Sequence, residues 1–122
     1  MLSYSIDDDN NLIRTKAEGK ISIFELNRHM DKVVNDEKYR KGMNTIVDLN
    51  DAFLKMTFDD LPIINSIIRK HEKIRSASKW AVFVKSNTIR ALINFVVPVL
   101  TMNKIKLRVF DNEKNAMVWI ES

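Results

Sequence analysis

The sequence predicts a single α/β domain, a mixed β-sheet flanked by helices, for three reasons. Short segments with strand patterning alternate with longer segments whose apolar residues recur at helical spacing. The 122 residues suit one hydrophobic core. No repeat and no Pro-rich or Gly/Ser-rich linker marks a boundary within residues 1–122. The expected order is ββαβαβαβα, with parallel strands joined by right-handed crossovers after an antiparallel opening hairpin.

The first half of the chain predicts a hairpin, a helix and a central strand. Apolar and polar residues alternate over 2–7 and again from Ile13 to Ala17, on either side of an Asp/Asn-rich turn. Ser22 followed by Glu25 has the spacing of a capping box and opens a helix that reaches about Asn35. Residues 43–49 have a nearly continuous apolar centre, which is typical of a strand covered on both faces.

The second half of the chain predicts three helices and two strands. One helix extends from about Asp59 to Arg75, a second from about Asn87 to Met102, and Asp111 with Asn112 opens the third. The strands are expected at residues 80–84, apolar throughout, and at residues 105–109, where apolar and basic residues alternate.

The amino-acid composition does not favour a catalytic site, a metal site or a cofactor site. The chain has no cysteine, which removes thiolate nucleophiles, disulfides and the common structural zinc sites. Its two glycines cannot build a phosphate-binding loop. The two histidines, His29 and His71, lie on different predicted helices among charged neighbours, so each is expected at the surface. We therefore expect a protein that is not an enzyme.

Charge and hydropathy narrow the expected partners and location. The net charge of +4 and the basic stretch 69–79, which has no interleaved aromatic residue, do not indicate nucleic-acid binding. We expect that basic stretch to complement the dipole of its helix and remain solvated. The longest apolar run, 91–100, is about half the ~20 residues of a membrane-spanning helix. The N-terminal residues lack signal-peptide patterning, which predicts a cytoplasmic protein.

Three segments carry a resemblance to a known family. They are Glu18-Gly19-Lys20-Ile21-Ser22, Ile46-Val47-Asp48-Leu49, and Val109-Phe110-Asp111 with Ala116-Met117-Val118-Trp119-Ile120. With the element order, they resemble the STAS-like (SpoIIAA-like) domains, the family of the sporulation anti-sigma factor antagonists, over nearly the whole chain. The last segment is most similar to uncharacterised bacterial relatives, whose final strand ends in Phe and precedes a short helix ending in Trp and an aliphatic residue.

The resemblance implies a candidate partner or ligand loop. In the antagonists the third strand ends in an Asp-Leu-Ser-like turn, and a serine before the second helix takes a phosphate that switches binding to a kinase-like partner. By position, Asp48, Asn50 and Thr57 correspond to this loop. The segment 55–60 departs from the antagonists' Asp-Ser-Ser-Gly pattern. Loops beyond the carboxyl ends of strands are also where ligands gather in α/β sheets.

Helix capping is the alternative role for Thr57. Thr57 followed by Asp60 fits the start of a helix, where a hydroxyl satisfies an unpaired backbone N–H. Pro62 is best tolerated in the first turn of a helix, and this makes Asp59 a second candidate for the cap.

The helix predicted at 87–102 carries more apolar surface than a helix lying on a sheet needs. One core-facing stripe is complete without Phe95 and Met102, and only Arg90, Asn94 and Thr101 form a polar face. Burial beneath a neighbouring helix, with Pro98 bending or ending the helix, is one explanation. The other is an exposed patch in which Phe95, Pro98 and Met102 form a homodimer face or an apolar-ligand groove.

The sequence suggests two functions from different classes. The first is a non-enzymatic interaction or regulatory module, whose partner is another protein or a second copy of the chain. The alternative is a carrier or sensor that holds a small apolar or anionic ligand between the sheet ends and the helix around Phe95.

Overall fold

A computed structural model describes residues 1–54, 57–100 and 102–122 and confirms the predicted α/β class and element order. The strands are β1 (Leu2–Asp7), β2 (Leu12–Ile21), β3 (Asn44–Leu54), β4 (Ser78–Phe83) and β5 (Ile105–Phe110). The helices are α1 (Ile23–Val34), α2 (Leu61–Arg75), α3 (Asn87–Val96) and α4 (Glu113–Ile120). Short 3-10 turns at Phe58–Asp60 and Val97–Val99 precede α2 and follow α3.

The five strands form one sheet in the order β1-β2-β3-β4-β5. β1 pairs with β2 antiparallel, and the other neighbours pair parallel, as the alternation of strands and helices predicts. Each parallel connection moves one strand in the same direction, so crossovers of the usual right-handed sense place α1, α2 and α3 on one face. Helix α4 contacts β3, β4 and β5 on the opposite face.

Two predicted boundaries are wrong. The segment after Leu49, expected to be a loop, continues β3 to Leu54, because after a bulge it pairs with the second half of β2, residues Glu18 to Ile21. The helix expected to reach Met102 ends at Val96, and Pro98 lies in the 3-10 turn that follows. Proline has no N–H to donate to the preceding helical turn, which explains the early end.

Side chains close the helix ends near the positions that the sequence predicts. The Ser22 Oγ accepts from the backbone N–H of Glu25 at 3.1 Å, and α1 follows directly. Before α2, the Asp60 carboxylate accepts the Thr57 backbone N–H at 2.8 Å and the Thr57 hydroxyl at 3.4 Å. The predicted cap, in which the Thr57 hydroxyl accepts a helical N–H, is not found among the described residues. The helix proper begins after Asp60 with Pro62 in its first turn, and Asp59 is therefore not its cap.

The two faces of the sheet are packed differently. Beneath α4, one close-packed cluster contains Leu12, Ile46, Ala81, Phe83, Ala116 and Ile120. On the other face, α1 contributes Val33 to a smaller cluster with Ile13 and Met43. Helix α3, the most apolar by sequence, contains no buried residue. The helical layer over this face therefore leaves unfilled space against the sheet.

Candidate functional site

A cavity of about 550 Å³ lies between the sheet and the layer of α1, α2 and α3. Its floor includes the adjacent residues Thr15, Val47 and Val82, which face each other across β2, β3 and β4. Its roof is apolar, with Leu26, Met30, Ile64, Ile68, Ile93 and Val96. Protein interiors rarely leave voids much larger than a water molecule, and ligand pockets occupy about 300–1,000 Å³. The volume is that of a ligand pocket.

Helix α3 explains why this space is open. Its residues Leu92, Ile93 and Val96 line the cavity. Leu92 and Phe95 nevertheless remain exposed, and no residue of the helix is buried. A helix with this composition gains most of its stability from burial, and here that burial is incomplete. Helix α3 therefore forms a lid over the cavity.

Arg75 lies at one end of the cavity. It is the last residue of α2, is 4% exposed, and lies over the start of the parallel strands. Its Nη2 donates to the Thr45 Oγ1 at 2.5 Å, and its guanidinium carbon is 4.8 Å from the centroid of the Trp80 ring. No aspartate or glutamate of the described residues forms an ion pair with it. Burial lowers the pKa of Arg75.

Polar groups around Arg75 lack hydrogen-bond partners among the described residues. They are the Arg75 Nε and the indole N–H of Trp80. The Tyr39 ring centroid is 5.8 Å from the guanidinium carbon, and the Tyr39 hydroxyl partly offsets the effect of burial on the pKa of Arg75. Buried polar groups are nearly always paired, so two unpaired N–H donors side by side call for an explanation. Both can donate to an acceptor, and an anion would satisfy them.

The prediction that both histidines lie at the surface is wrong. His71 is fully buried, with its Nε2 3.3 Å from an Asp31 carboxylate oxygen. His29 is half-buried and lines the cavity, where its Nε2 lies 3.5 Å from the Thr15 hydroxyl. Burial, reinforced by the positive charge of Arg75, lowers the pKa of His29 to about 4. The His29 side chain that lines the cavity is therefore uncharged at neutral pH.

Glu72, one turn before the end of α2, fixes the connection into β5. One of its carboxylate oxygens accepts the backbone N–H groups of Asn103, Lys104 and Ile105, at 2.8, 2.5 and 3.0 Å. Burial alone raises the pKa of Glu72, but these three donors outweigh it and hold the pKa below its usual value. The end of α2 that carries Arg75 is therefore fastened to the sheet.

The predicted loop residues do not converge on one site. Asp48 lies in a shallower depression of about 390 Å³ beside Lys16 and Glu113. The Asn50 Oδ1 accepts the backbone N–H of Lys85 at 2.8 Å and so ties β3 to the segment after β4. Thr57 is exposed and lines the cavity near α2. Phosphorylation of Thr57 and a role for Asp48 stay predictions.

The three residues predicted to form an apolar interface differ in exposure, and their role in an interface stays a prediction. Phe95 is 63% exposed, Pro98 is exposed, and Met102 is half-buried. The alternative, in which the surplus apolar residues of α3 are buried beneath a neighbouring helix, is wrong for Phe95. The other face of α3 lines the cavity, so the helix divides its apolar residues between solvent and an internal space.

Arg75 is the residue of the candidate site that sequence-based prediction did not indicate. Within the basic stretch 69–79 it was expected to be solvated, like its neighbours Lys73 and Ser76, which are exposed. Its burial follows from its place on α2: His71 and Glu72 are buried on the same side of the helix, at spacings of four and three residues. The sequence did contain a signal for this burial. His71, Glu72 and Arg75 continue the helical spacing of Ile67 and Ile68, which places all five residues on one side of α2.

None of the helices in the described part of the chain is both long and apolar enough to cross a membrane. Among the same residues, no group of three histidine, aspartate or glutamate side chains is placed to hold a metal ion.

Comparison with known proteins supports the fold. No family model matches the chain, and no curated protein matches it by sequence. Among solved structures, the chain is similar to an uncharacterised protein of the DUF3478 family with a SpoIIAA-like fold, from Shewanella loihica PV-4. The TM-score is 0.66 at 11% identity, over 98% of this chain and 93% of that chain. The order of strands and helices, the sheet topology and this similarity show that the chain has a SpoIIAA-like fold.

Proposed function

We propose that this protein binds a small apolar molecule in the cavity between the sheet and α1, α2 and α3, as a carrier or sensor. The observation that carries the proposal is the cavity itself, about 550 Å³ with almost entirely apolar walls. Large, well-formed apolar pockets with a few convergent polar groups are the usual form of a small-molecule site. Of the two functions that the sequence suggests, the cavity favours ligand binding.

The uneven packing of the two faces supports this function. Beneath α4, the buried residues Ala116 and Ile120 pack against the sheet, whereas α3 has no buried residue over the cavity. A ligand there removes apolar surface of Leu92, Ile93 and Val96 from water, which stabilises the closed lid. Binding therefore has a structural consequence, a firmer α3, that a sensor can transmit.

Replacing Val47 by Trp should weaken binding of the neutral fluorophore N-phenylnaphthylamine by about tenfold or more. Val47 lies on the cavity floor between Thr15 and Val82, and an indole there occupies the space that the ligand needs. The dissociation constant is measured by fluorescence titration of the purified protein.

Val118→Trp is the matched control, because Val118 is exposed on α4, across the sheet from the cavity. It should bind the fluorophore as the wild type does. Equal affinity of the wild type and Val47→Trp, with both folded by circular dichroism, would show that the fluorophore does not occupy the cavity.

A second candidate function is a non-enzymatic interaction module that pairs with a second copy of the chain. The exposed side of α3 and the turn after it carry Phe95, Pro98 and Val99, all exposed. Contiguous exposed apolar residues usually mark interaction surfaces. This function is compatible with ligand binding, since the opposite side of the same helix lines the cavity.

If this surface pairs two chains, Phe95→Asp should convert a dimer into a folded monomer, because a carboxylate in an apolar interface loses its hydration without gaining a partner. Light scattering coupled to size-exclusion chromatography measures the mass. Val118→Asp, an equally polar change at an exposed position of α4, should leave the dimer intact. A wild type that is monomeric at all concentrations tested, or a Phe95→Asp dimer, refutes the pairing.

A further inference from the structure

We propose that the cavity selects an amphipathic monocarboxylate, whose carboxylate pairs with Arg75 and whose aliphatic tail extends beneath α3. This inference rests on the proposed function and deepens it, because it names the chemical class of the ligand. It is carried by a buried guanidinium without a carboxylate partner at the end of an otherwise apolar cavity.

The buried charge of Arg75 requires compensation. Removing a guanidinium from water is expensive unless an anion or several acceptors replace the lost hydration. Two contacts to Arg75 come from neutral oxygens, the Thr45 hydroxyl and the Met43 carbonyl at 3.5 Å. Stacking against the Trp80 ring contributes further. These contacts orient the guanidinium but leave its Nε without an acceptor among the described residues.

Two N–H donors of cavity-lining residues lie side by side at this end. The indole N–H of Trp80 lacks a partner among the described residues, as the Arg75 Nε does, and the Trp80 ring lies against the guanidinium. A planar guanidinium matches a carboxylate bidentately, and a neutral donor beside it adds a further hydrogen bond to one of the two oxygens. A single anionic group therefore supplies the hydrogen-bond acceptor that the Arg75 Nε and the Trp80 indole N–H lack.

The charge of the cavity lining sets the charge of the head group that fits it. Arg75 is the only lysine or arginine among the described residues that line the cavity, and its neighbour His29 is neutral at pH 7 because burial lowers its pKa to about 4. The single positive charge of Arg75 neutralises a monoanion. A phosphate dianion would keep one negative charge without a partner in a site of low dielectric constant. The site therefore favours a carboxylate over a phosphomonoester.

The polarity of the cavity lining changes along the strands. The floor starts at Thr45 and Trp80 beneath Arg75, continues through Val47 and ends at Leu49, roughly 13 Å further along the strand. The end remote from Arg75 includes Leu54, where β3 ends, and Leu61, where α2 begins. A molecule with one polar end and one apolar end matches this gradient in a single orientation.

The test compares ligands that differ only at the head group. Dodecanoate, its methyl ester, dodecanol and dodecyl phosphate, each below its micelle concentration, are titrated against the wild-type protein by displacement of N-phenylnaphthylamine. Dodecanoate should bind about tenfold to a hundredfold more tightly than the ester or the alcohol, the range of a charge-assisted hydrogen-bonded pair. In Arg75→Met this preference should disappear while the fluorophore still binds.

Trp80→Phe is the second variant, because it retains an aromatic ring over Arg75 but loses the indole donor. It should reduce the preference for dodecanoate without abolishing it, and it keeps the test decisive if Arg75→Met fails to fold. A further measurement uses dodecanoate labelled at its carboxyl carbon and followed by NMR. The bound carboxyl should titrate at a lower pH than the free acid, since the guanidinium stabilises its charged form.

The outcomes separate this inference from the proposed function. Equal binding of dodecanoate, the ester and the alcohol in the wild type would overturn the head-group assignment and leave an apolar cavity intact. Tighter binding of dodecyl phosphate than of dodecanoate would overturn the assignment to a carboxylate. Failure of every ligand and of the fluorophore to bind would overturn both proposals together.

Discussion

Leu12→Ala should lower the free energy of unfolding by about 3–4 kcal/mol, whereas Leu107→Ala should lower it by about 1 kcal/mol. Leu12 is fully buried and packs with Ile46 and Phe83 beneath α4, so its truncation leaves a new cavity in a close-packed cluster. Leu107 lies on the cavity floor in β5, where its side chain already faces unfilled space. Atoms that border a void have fewer contacts to lose.

Urea unfolding followed by tryptophan fluorescence measures both values, provided that the slope of the transition is unchanged. The comparison is matched, because both substitutions remove the same atoms from a strand of the same sheet. Equal losses at the two positions would show that the face covered by α1, α2 and α3 is packed as tightly as the α4 face. Such a result would also remove the main structural support for a ligand cavity.

Glu72→Ala should destabilise the protein by about 3 kcal/mol, because three backbone N–H groups lose their charged acceptor. Glu72→Gln should cost less, about 2 kcal/mol, since an amide oxygen can still accept but carries no charge. The loss should be concentrated at the start of β5, where hydrogen exchange of the Asn103, Lys104 and Ile105 amides should become faster.

The contribution of Glu72 depends on pH in a defined direction. Its pKa is lowered in the folded state, so its stabilisation is complete above the unfolded pKa of about 4.3. It declines as the pH falls below that value and is lost once the pH passes the lower folded pKa. The difference in stability between the wild type and Glu72→Gln should therefore narrow from pH 7 to pH 3.

Glu121→Gln serves as the control, because Glu121 is exposed at the end of α4. It should leave the urea midpoint unchanged at every pH tested. If Glu72→Gln behaves like Glu121→Gln, the three backbone hydrogen bonds contribute nothing to stability and the end of α2 is held by other contacts.

Much of the fold could be predicted because its signals are local. Ser22 and Asn112 cap their helices through bonds to residues three positions ahead, and this short-range chemistry is visible in the sequence. The period-2 pattern of 2–7 and of 13–17 predicts strands for the same reason. The extension of β3 to Leu54 could not be predicted in this way, because it depends on pairing with β2 some 30 residues earlier in the chain.

The candidate site could be predicted only in part. The surplus of apolar residues from 87 to 102 indicated that this helix has a second role, and α3 does line a cavity. The positions of Asp48 and Thr57, by contrast, suggested one loop, yet the two residues lie in different depressions. Side chains alternate between the faces of a strand, so nearness in sequence did not bring Asp48 and Thr57 to one surface.

The sequence by itself determined the fold class, the order of the elements and the unusual composition of α3, since each follows from periodicity and capping within a segment. Only the tertiary structure decided that Arg75 is buried and that α1, α2 and α3 leave a cavity between themselves and the sheet. A basic residue near a helix C-terminus has the same local pattern whether it is solvated or enclosed. Its environment depends on which strands lie beneath it, here those carrying Thr45 and Trp80, and that depends on long-range packing.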